Sequence, residues 1–288
     1  SARKNAANFS FDELKSGVKK AHRQGVKVYA AINTLVFDDE IKELEKTVLQ
    51  AEEANVNAVI VQDLGVTSVI KKTAPSLKLH ASTQMTVTSA SGAEFAKKYG
   101  FKRVVLPREL SFEEIKKITS AVDIETEVFV HGALCVCLSG QCLLSAVIGG
   151  RSGNRGLCAQ PCRLNYTCGE RDNVLSLKDL SLIDELKRLE EVGVTSAKIE
   201  GRMKRPEYVE AASGQCKAAL SGQKTDTQLL RSVFSRSGFT KGYFDGSFSN
   251  MSGIRRKEDS LGSVEALKEI RALYRQPFKR YKLDLLVA

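Results

Sequence analysis

"KVYAAINTLVFDDEIKELEKTVLQAEEANVNAVIVQD", residues 27–63, decides the fold. "KVYAAIN" (27–33) is a short apolar run that reads as a strand. The stretch after it carries Ile41, Leu44, Val48 and Ala51 at helical spacing. "AVIVQD" (58–63) is then a second apolar run. Apolar strand, amphipathic helix, apolar strand is a βαβ unit, and continuous rather than alternating hydrophobicity suits parallel strands buried on both faces.

The same grammar continues through "LKLHAS" (77–82), "RVVLP" (103–107), "EVFVHG" (127–132) and "SAKIEG" (196–201). Two intervening helices announce their starts with capping boxes, "SFDE" (10–13) and "SFEE" (111–114), where serine and glutamate satisfy each other's free amides. Repeated βα units predict a parallel α/β fold of the (β/α)8, TIM-barrel type. Six strands are legible and the chain opens in a loop, so the expectation is a barrel lacking its first one or two βα units. No G-x-G-x-x-G follows a strand to support a doubly wound alternative. The sequence divides into a core over 1–222, with a cysteine-rich loop at 132–168, and a compositionally distinct appendage over 223–288. There "SVFSRSGFTKGYFDGSFSNMSG" (232–253) precedes a helical pattern at 263–276, and "YKLDLLVA" (281–288) reads as the start of a following domain.

The chain has 288 residues, 42% of them hydrophobic and 27% charged, with no apolar run of the ~18–20 residues a membrane span requires. Its formal charge of +10 favours polyanionic partners, RNA above all, although lysine pairs at 19–20, 71–72, 97–98 and 116–117 also fit plain helix solvation. Seven cysteines, an odd number with five of them bunched between 135 and 162, are unlike a secreted disulfide framework and suit a reducing cytoplasm.

Cys135, Cys142, Cys158 and Cys162 have the spacing C-x6-C-x15-C-x3-C. Four thiolates on one loop suit tetrahedral zinc or an iron–sulfur cluster, and the wide, uneven spacing favours the cluster. Cys137 and Cys168 are spare thiols, and Cys216 reads as packing. In a barrel the chemistry lies at the C-terminal strand ends. Asn33, Gln62, Asp63, His80, Ser82, Thr83, Gln84, Arg108, Glu109, His131, Glu200 and Arg202 fall there. Of these, His80, Arg108, His131, Glu200 and Arg202 are the candidate catalytic residues. Guanidinium groups at 108 and 202 suit a small-molecule carboxylate, and the histidines and Glu200 suit proton handling. "GGRSGNRG" (149–156), with Arg151 and Arg155, suits either a phosphate backbone or a loop that positions Cys158.

"EVFVHGALCVCLSGQCLLS" (127–145) resembles the signature of the peptidase U32 family, the collagenase-like proteins. The likeness extends through "RSGNRGLCAQPCR", "LSLKDL", "AKIEGRMKRPEYV", "SRSGFTKGYF", "LHASTQM" and the opening "SARKNAANFS". The resemblance implies a TIM-barrel-like core and a [4Fe–4S] cluster on the cysteine quartet. It also implies oxygen-independent hydroxylation of tRNA or ribosomal RNA with prephenate as hydroxyl donor, and other members act in ubiquinone synthesis. The older peptidase assignment leaves two alternatives open. One is proteolysis by a His131–Cys135 pair, without an H-E-x-x-H or G-x-S-x-G motif to support it. The other is a binding protein stapled by its metal. Cys137 inside the signature, and the missing leading strands, are departures from the family pattern.

Overall fold

In a computed structural model, which describes residues 8–201, 204–254 and 263–274, the parallel pairing runs through the first five strands. These are β1 (Tyr29–Ile32), β2 (Ala58–Val61), β3 (Leu79–Ala81), β4 (Arg103–Val105) and β5 (Glu125–Ala133). Each pairs with the next in parallel. Their apolar runs are the reason: Val59, Val61, Ala81 and Val104 are wholly buried, which a strand covered on both faces requires. Each buried valine contributes roughly 1.5–3 kcal/mol.

Helices α1 (Phe11–His22), α2 (Ile41–Glu53), α3 (Leu64–Thr73), α4 (Ala90–Lys98) and α5 (Phe112–Ala121) alternate with these strands. Both capping boxes form, Ser10 with Glu13 and Ser111 with Glu114. The lysine pairs of α1, α3 and α4 occupy the last helical turn, where cations complement the helix dipole. That placement accounts for these pairs without a polyanion.

Beyond β5 the sheet departs from simple alternation. After α6 (Leu144–Gly149) comes β6 (Asp179–Ser181), which pairs antiparallel with the C-terminal half of β5. After α7 (Leu186–Glu191), β7 (Ser196–Ile199) pairs with β5 in parallel. Next come α8 (Pro206–Leu220) and α9 (Thr227–Val233), and β8 (Phe239–Thr240) then joins β6. The fold is α/β and TIM-barrel-like, but among the described residues eight strands are present rather than the six the sequence shows, and β6 and β8 run against the other six. Among the described residues the sheet is not closed, running from β1 to β8 with β7 branching from β5.

Residues 223–254, set apart by composition, share this sheet and core through β8 and through buried Leu230, Val233, Phe244 and Met251. Short α10 (Gly242–Asp245) lies within that stretch, and α11 (Val264–Tyr274) packs on α8 and α9. The segment 281–288 and the opening "SARKNAA" lie outside the described residues. Among the described residues, no helix is long and apolar enough to cross a membrane.

Candidate active site at the C-terminal strand ends

The loop from Leu134 to Lys178 has little regular structure, so side-chain bonds must hold it over the strand ends. Gln62, just past β2, donates to Asn33 O at 2.9 Å and to Asn154 O at 3.2 Å. Asn154 in turn donates to Gly140 O at 2.8 Å. Glu109 receives the Ser139 amide at 2.7 Å and the Ser139 hydroxyl at 3.0 Å, while Thr86 donates to Ser139 O at 2.7 Å. Gly140 sits at φ +81, and a Cβ there would lie 2.2 Å from Gln84 O. Only glycine allows that approach. Asp63 caps α3 through the Val66 amide at 3.0 Å.

Arg155 is engaged within the protein. Its guanidinium grips both carboxylate oxygens of Glu40 at 2.7 and 2.6 Å and donates to Leu35 O, fastening the loop to the end of β1. Of the two arginines in the glycine-rich stretch, only Arg151 stays exposed.

Arg108, Glu200 and His131 come together. Arg108 pairs with Glu200 and stacks over Phe129, 3.6 Å from the ring centroid. The Glu200 amide donates to His131 O at 2.8 Å, and the Tyr208 hydroxyl donates to Glu200 O at 2.9 Å. His131 lies between Tyr208 and Phe239, with ring centroids at 5.6 and 5.1 Å. The ring is 1% exposed, and among the described residues neither nitrogen has a hydrogen-bond partner. Burial therefore lowers its pKa to about 4, so it is neutral at pH 7; Asp179 opposes the shift and Lys204 adds to it. Gly132, at φ +121, makes this convergence possible, since a Cβ would lie 2.6 Å from the Glu200 Cβ. The register of β5 against β7 shifts between Phe129 and His131, an irregularity that re-aims side chains at the strand end.

His80 is not gathered with them. It lies inside β3, 4% exposed, edge-on to Tyr29 at 4.8 Å. Burial first, then Arg103, lower its pKa to about 4, and its other charged neighbours are Glu127, Glu125 and Lys198. Polarity at a strand end does not reveal which layer a side chain joins. Arg202 lies outside the described residues.

Cys135 and Cys158 are exposed, while Cys142 and Cys162 are partly covered. Burial raises the pKa of Cys162, with Cys135, Cys158 and Cys142 adding to the rise and Arg163 opposing it. The quartet thus shares one electrostatic neighbourhood. Cys158 sulfur accepts the Gln160 amide at 3.4 Å and lies 3.9 Å from the Ser145 hydroxyl. Cys137 is hydrogen-bonded to Cys142, and burial leads the upward push on its pKa. Among the described residues no three His, Cys, Asp or Glu side chains are drawn together tightly enough to hold an ion. Four thiols on one loop are nonetheless the donor chemistry that a thiolate-bound group requires.

Three side chains that shape the site were not singled out from the sequence. Arg163 ties the loop to Leu134 O and Leu177 O, Tyr208 covers His131, and Asp179 holds Arg236 in a buried pair. Their signal was membership of the family-like stretches "RSGNRGLCAQPCR", "AKIEGRMKRPEYV" and "LSLKDL", and Arg163 also stands directly after Cys162.

Comparison with known proteins adds a lineage. The profile described as Peptidase family U32 matches residues 1–252. The chain is 40% identical over 216 residues to the 23S rRNA 5-hydroxycytidine C2501 synthase of Escherichia coli (strain K12), covering 72% of this chain and 32% of that protein. It is 37% identical over 221 residues to tRNA hydroxylation protein P1 of Bacillus subtilis (strain 168), covering 72% and 52%. To a collagenase of Porphyromonas gingivalis (strain ATCC BAA-308 / W83) it is 31% identical over 275 residues, covering 84% and 65%. The chain spans less than two-thirds of the length of each of these relatives.

Proposed function

Because the chain belongs to peptidase family U32, we propose that it is the core of a cytoplasmic RNA-modifying enzyme that hydroxylates a pyrimidine of tRNA or 23S ribosomal RNA. The observation that carries this reading is the four-cysteine loop clipped over the same strand ends that present Arg108, Glu200 and His131. Two relatives named for RNA hydroxylation support the substrate class.

Cys135, Cys142, Cys158 and Cys162 would hold a [4Fe–4S] cluster, which when bound supplies one-electron chemistry or Lewis acidity that side chains lack. Zinc is the alternative occupant of the same thiols. Arg108 spends one donor on Glu200, and its remaining N–H groups suit the carboxylate of prephenate, the proposed hydroxyl donor. His131, buried and neutral at pH 7, would act from below the site, its carbonyl holding the Glu200 amide at 2.8 Å and so fixing the backbone that carries Glu200. Tyr208 keeps its proton, because burial raises its pKa strongly, and its hydroxyl anchors the Glu200 backbone. The aromatic cover of His131 keeps water away from that group.

Proteolysis finds no support in the geometry. Both ring nitrogens of His131 are buried and unpartnered, so no Cys135–His131 hydrogen bond activates the thiol.

Mass-spectrometric nucleoside analysis tests the proposal. RNA from a deletion strain should lack a 5-hydroxypyrimidine that the full-length gene restores. Cys158→Ala and Arg108→Ala versions should not restore it. Full restoration by the Cys158 variant overturns the cluster-dependent reaction, and collagen cleavage by the purified full-length protein restores the peptidase reading.

A further inference from the structure

Arg163 has a set of partners that does not balance its charge. Its guanidinium donates to Ser176 Oγ at 3.3 Å and to the carbonyls of Leu177 and Leu134. All three acceptors are neutral. The nearby carboxylate, Asp179, is already taken: the Arg236 amide reaches it at 2.9 Å, Arg236 Nε at 2.8 Å, and Arg236 Nη2 bonds it as well. Among the described residues no carboxylate forms an ion pair with Arg163.

Two guanidinium groups therefore share one carboxylate in a partly buried place. A buried cation without a counter-charge is costly, and nature pairs such groups. With Asp179 claimed by Arg236, the surplus positive charge belongs to the residue next to Cys162 and is bonded to the carbonyl of Leu134, next to Cys135. The bonding is equally directional. Arg163 follows Cys162 in the chain, and Leu134, whose carbonyl it holds, precedes Cys135. One side chain thus clasps the backbone beside the first and the last cysteine of the quartet.

We propose that Arg163 is a positioning residue for the thiolate site: it holds the Cys162 segment against the Cys135 segment and supplies the counter-charge for an anionic, four-thiolate complex. This rests on the cluster reading above.

The test uses the full-length protein, wild type, Arg163→Lys and Arg163→Met, each reconstituted anaerobically with iron and sulfide. The readouts are visible absorbance, the midpoint potential, and the rate of iron loss to a chelator. Arg163→Met should lose iron about tenfold faster, as outer-sphere partners of metal ligands typically do. Its potential should also move to more negative values, since a lost positive charge disfavours the added electron. Arg163→Lys should keep the potential but not the retention, because an ammonium group preserves charge without the planar fork. Should Arg163→Met fail to fold, that split in Arg163→Lys decides alone. A wild-type protein that takes up no cluster overturns the cluster reading and this inference with it. A wild-type cluster with unchanged potential and retention in both variants overturns the inference only.

Discussion

Two layers of charge cross the same strands, and they are built differently. In the lower one, Glu127 of β5 receives Arg103 of β4 at 3.1 Å, Ser196 of β7 at 3.0 Å and Lys198 of β7 at 2.6 Å. Every member stands on a paired strand, and the pairing register sets the neighbours. In the upper layer, Glu109 and Gln62 reach from strand ends to the irregular segment 134–178, Arg155 reaches out of it to Leu35 and Glu40, and Arg163 joins Leu134 to Leu177 within it. The lower layer is a consequence of the ladder, so disturbing it should disturb the fold. The upper layer fastens a loop one bond at a time, so disturbing it should cost the site first.

The largest expected effect lies below. Glu127→Ala leaves Arg103 and Lys198 without their shared carboxylate inside the sheet, and should lower unfolding free energy by about 3–5 kcal/mol in urea titration. Glu109→Ala, in the upper layer, should cost about 1 kcal/mol while sharply lowering iron uptake by the quartet. Equal destabilisation by the two variants would erase the distinction.

Acid reaches both layers at once. His80 and His131 both have folded pKa values lowered to about 4, against an ordinary value near 6.5. The unfolded chain takes up these protons first, so stability is full above roughly pH 6.5 and falls as pH drops towards 4. The loss should approach ~2 kcal/mol for each ring by pH 5. His80→Gln should remove about half of that slope between pH 7 and 5, measured by urea midpoints; an unchanged slope would place the titration elsewhere.

Next in size is Gly140→Ala. The added methyl meets the Gln84 carbonyl and strains a left-handed residue, for a cost of about 1–3 kcal/mol. Its signature should be proteolytic cleavage within 134–178 while the strands stay protected. Smallest is Ser111→Ala, which removes an exposed cap of α5 and should cost about 1 kcal/mol with no effect on iron uptake.

How legible each layer was follows from its construction. The six strands with long apolar runs announced themselves. β6 and β8 did not, since Asp179–Ser181 and Phe239–Thr240 are too short to carry a period. The cysteine quartet stood out by spacing alone. The bond between Arg155 and Glu40 joins residues 115 positions apart, which local pattern cannot show. His80 looked like a mouth residue because its strand ends two positions later in sequence, yet its ring packs into the layer below.

The divided partnership of β5 also orders events in time. Its first half lies between β4 and β7, whereas its second half meets β6. Pairing β6 requires the whole stretch from Leu134 to Lys178 to close first, and long closures delay folding. The strands from β1 to β4 join neighbours reached through short connections. Assembly should therefore proceed from the first strands toward β6, leaving the cysteine-bearing segment last to settle and first to open. The amide of Leu182, bonded to Val130 O at 2.7 Å, would report that opening in hydrogen exchange. A nascent chain would then have its thiols accessible to a metal or cluster donor before the loop shuts over them.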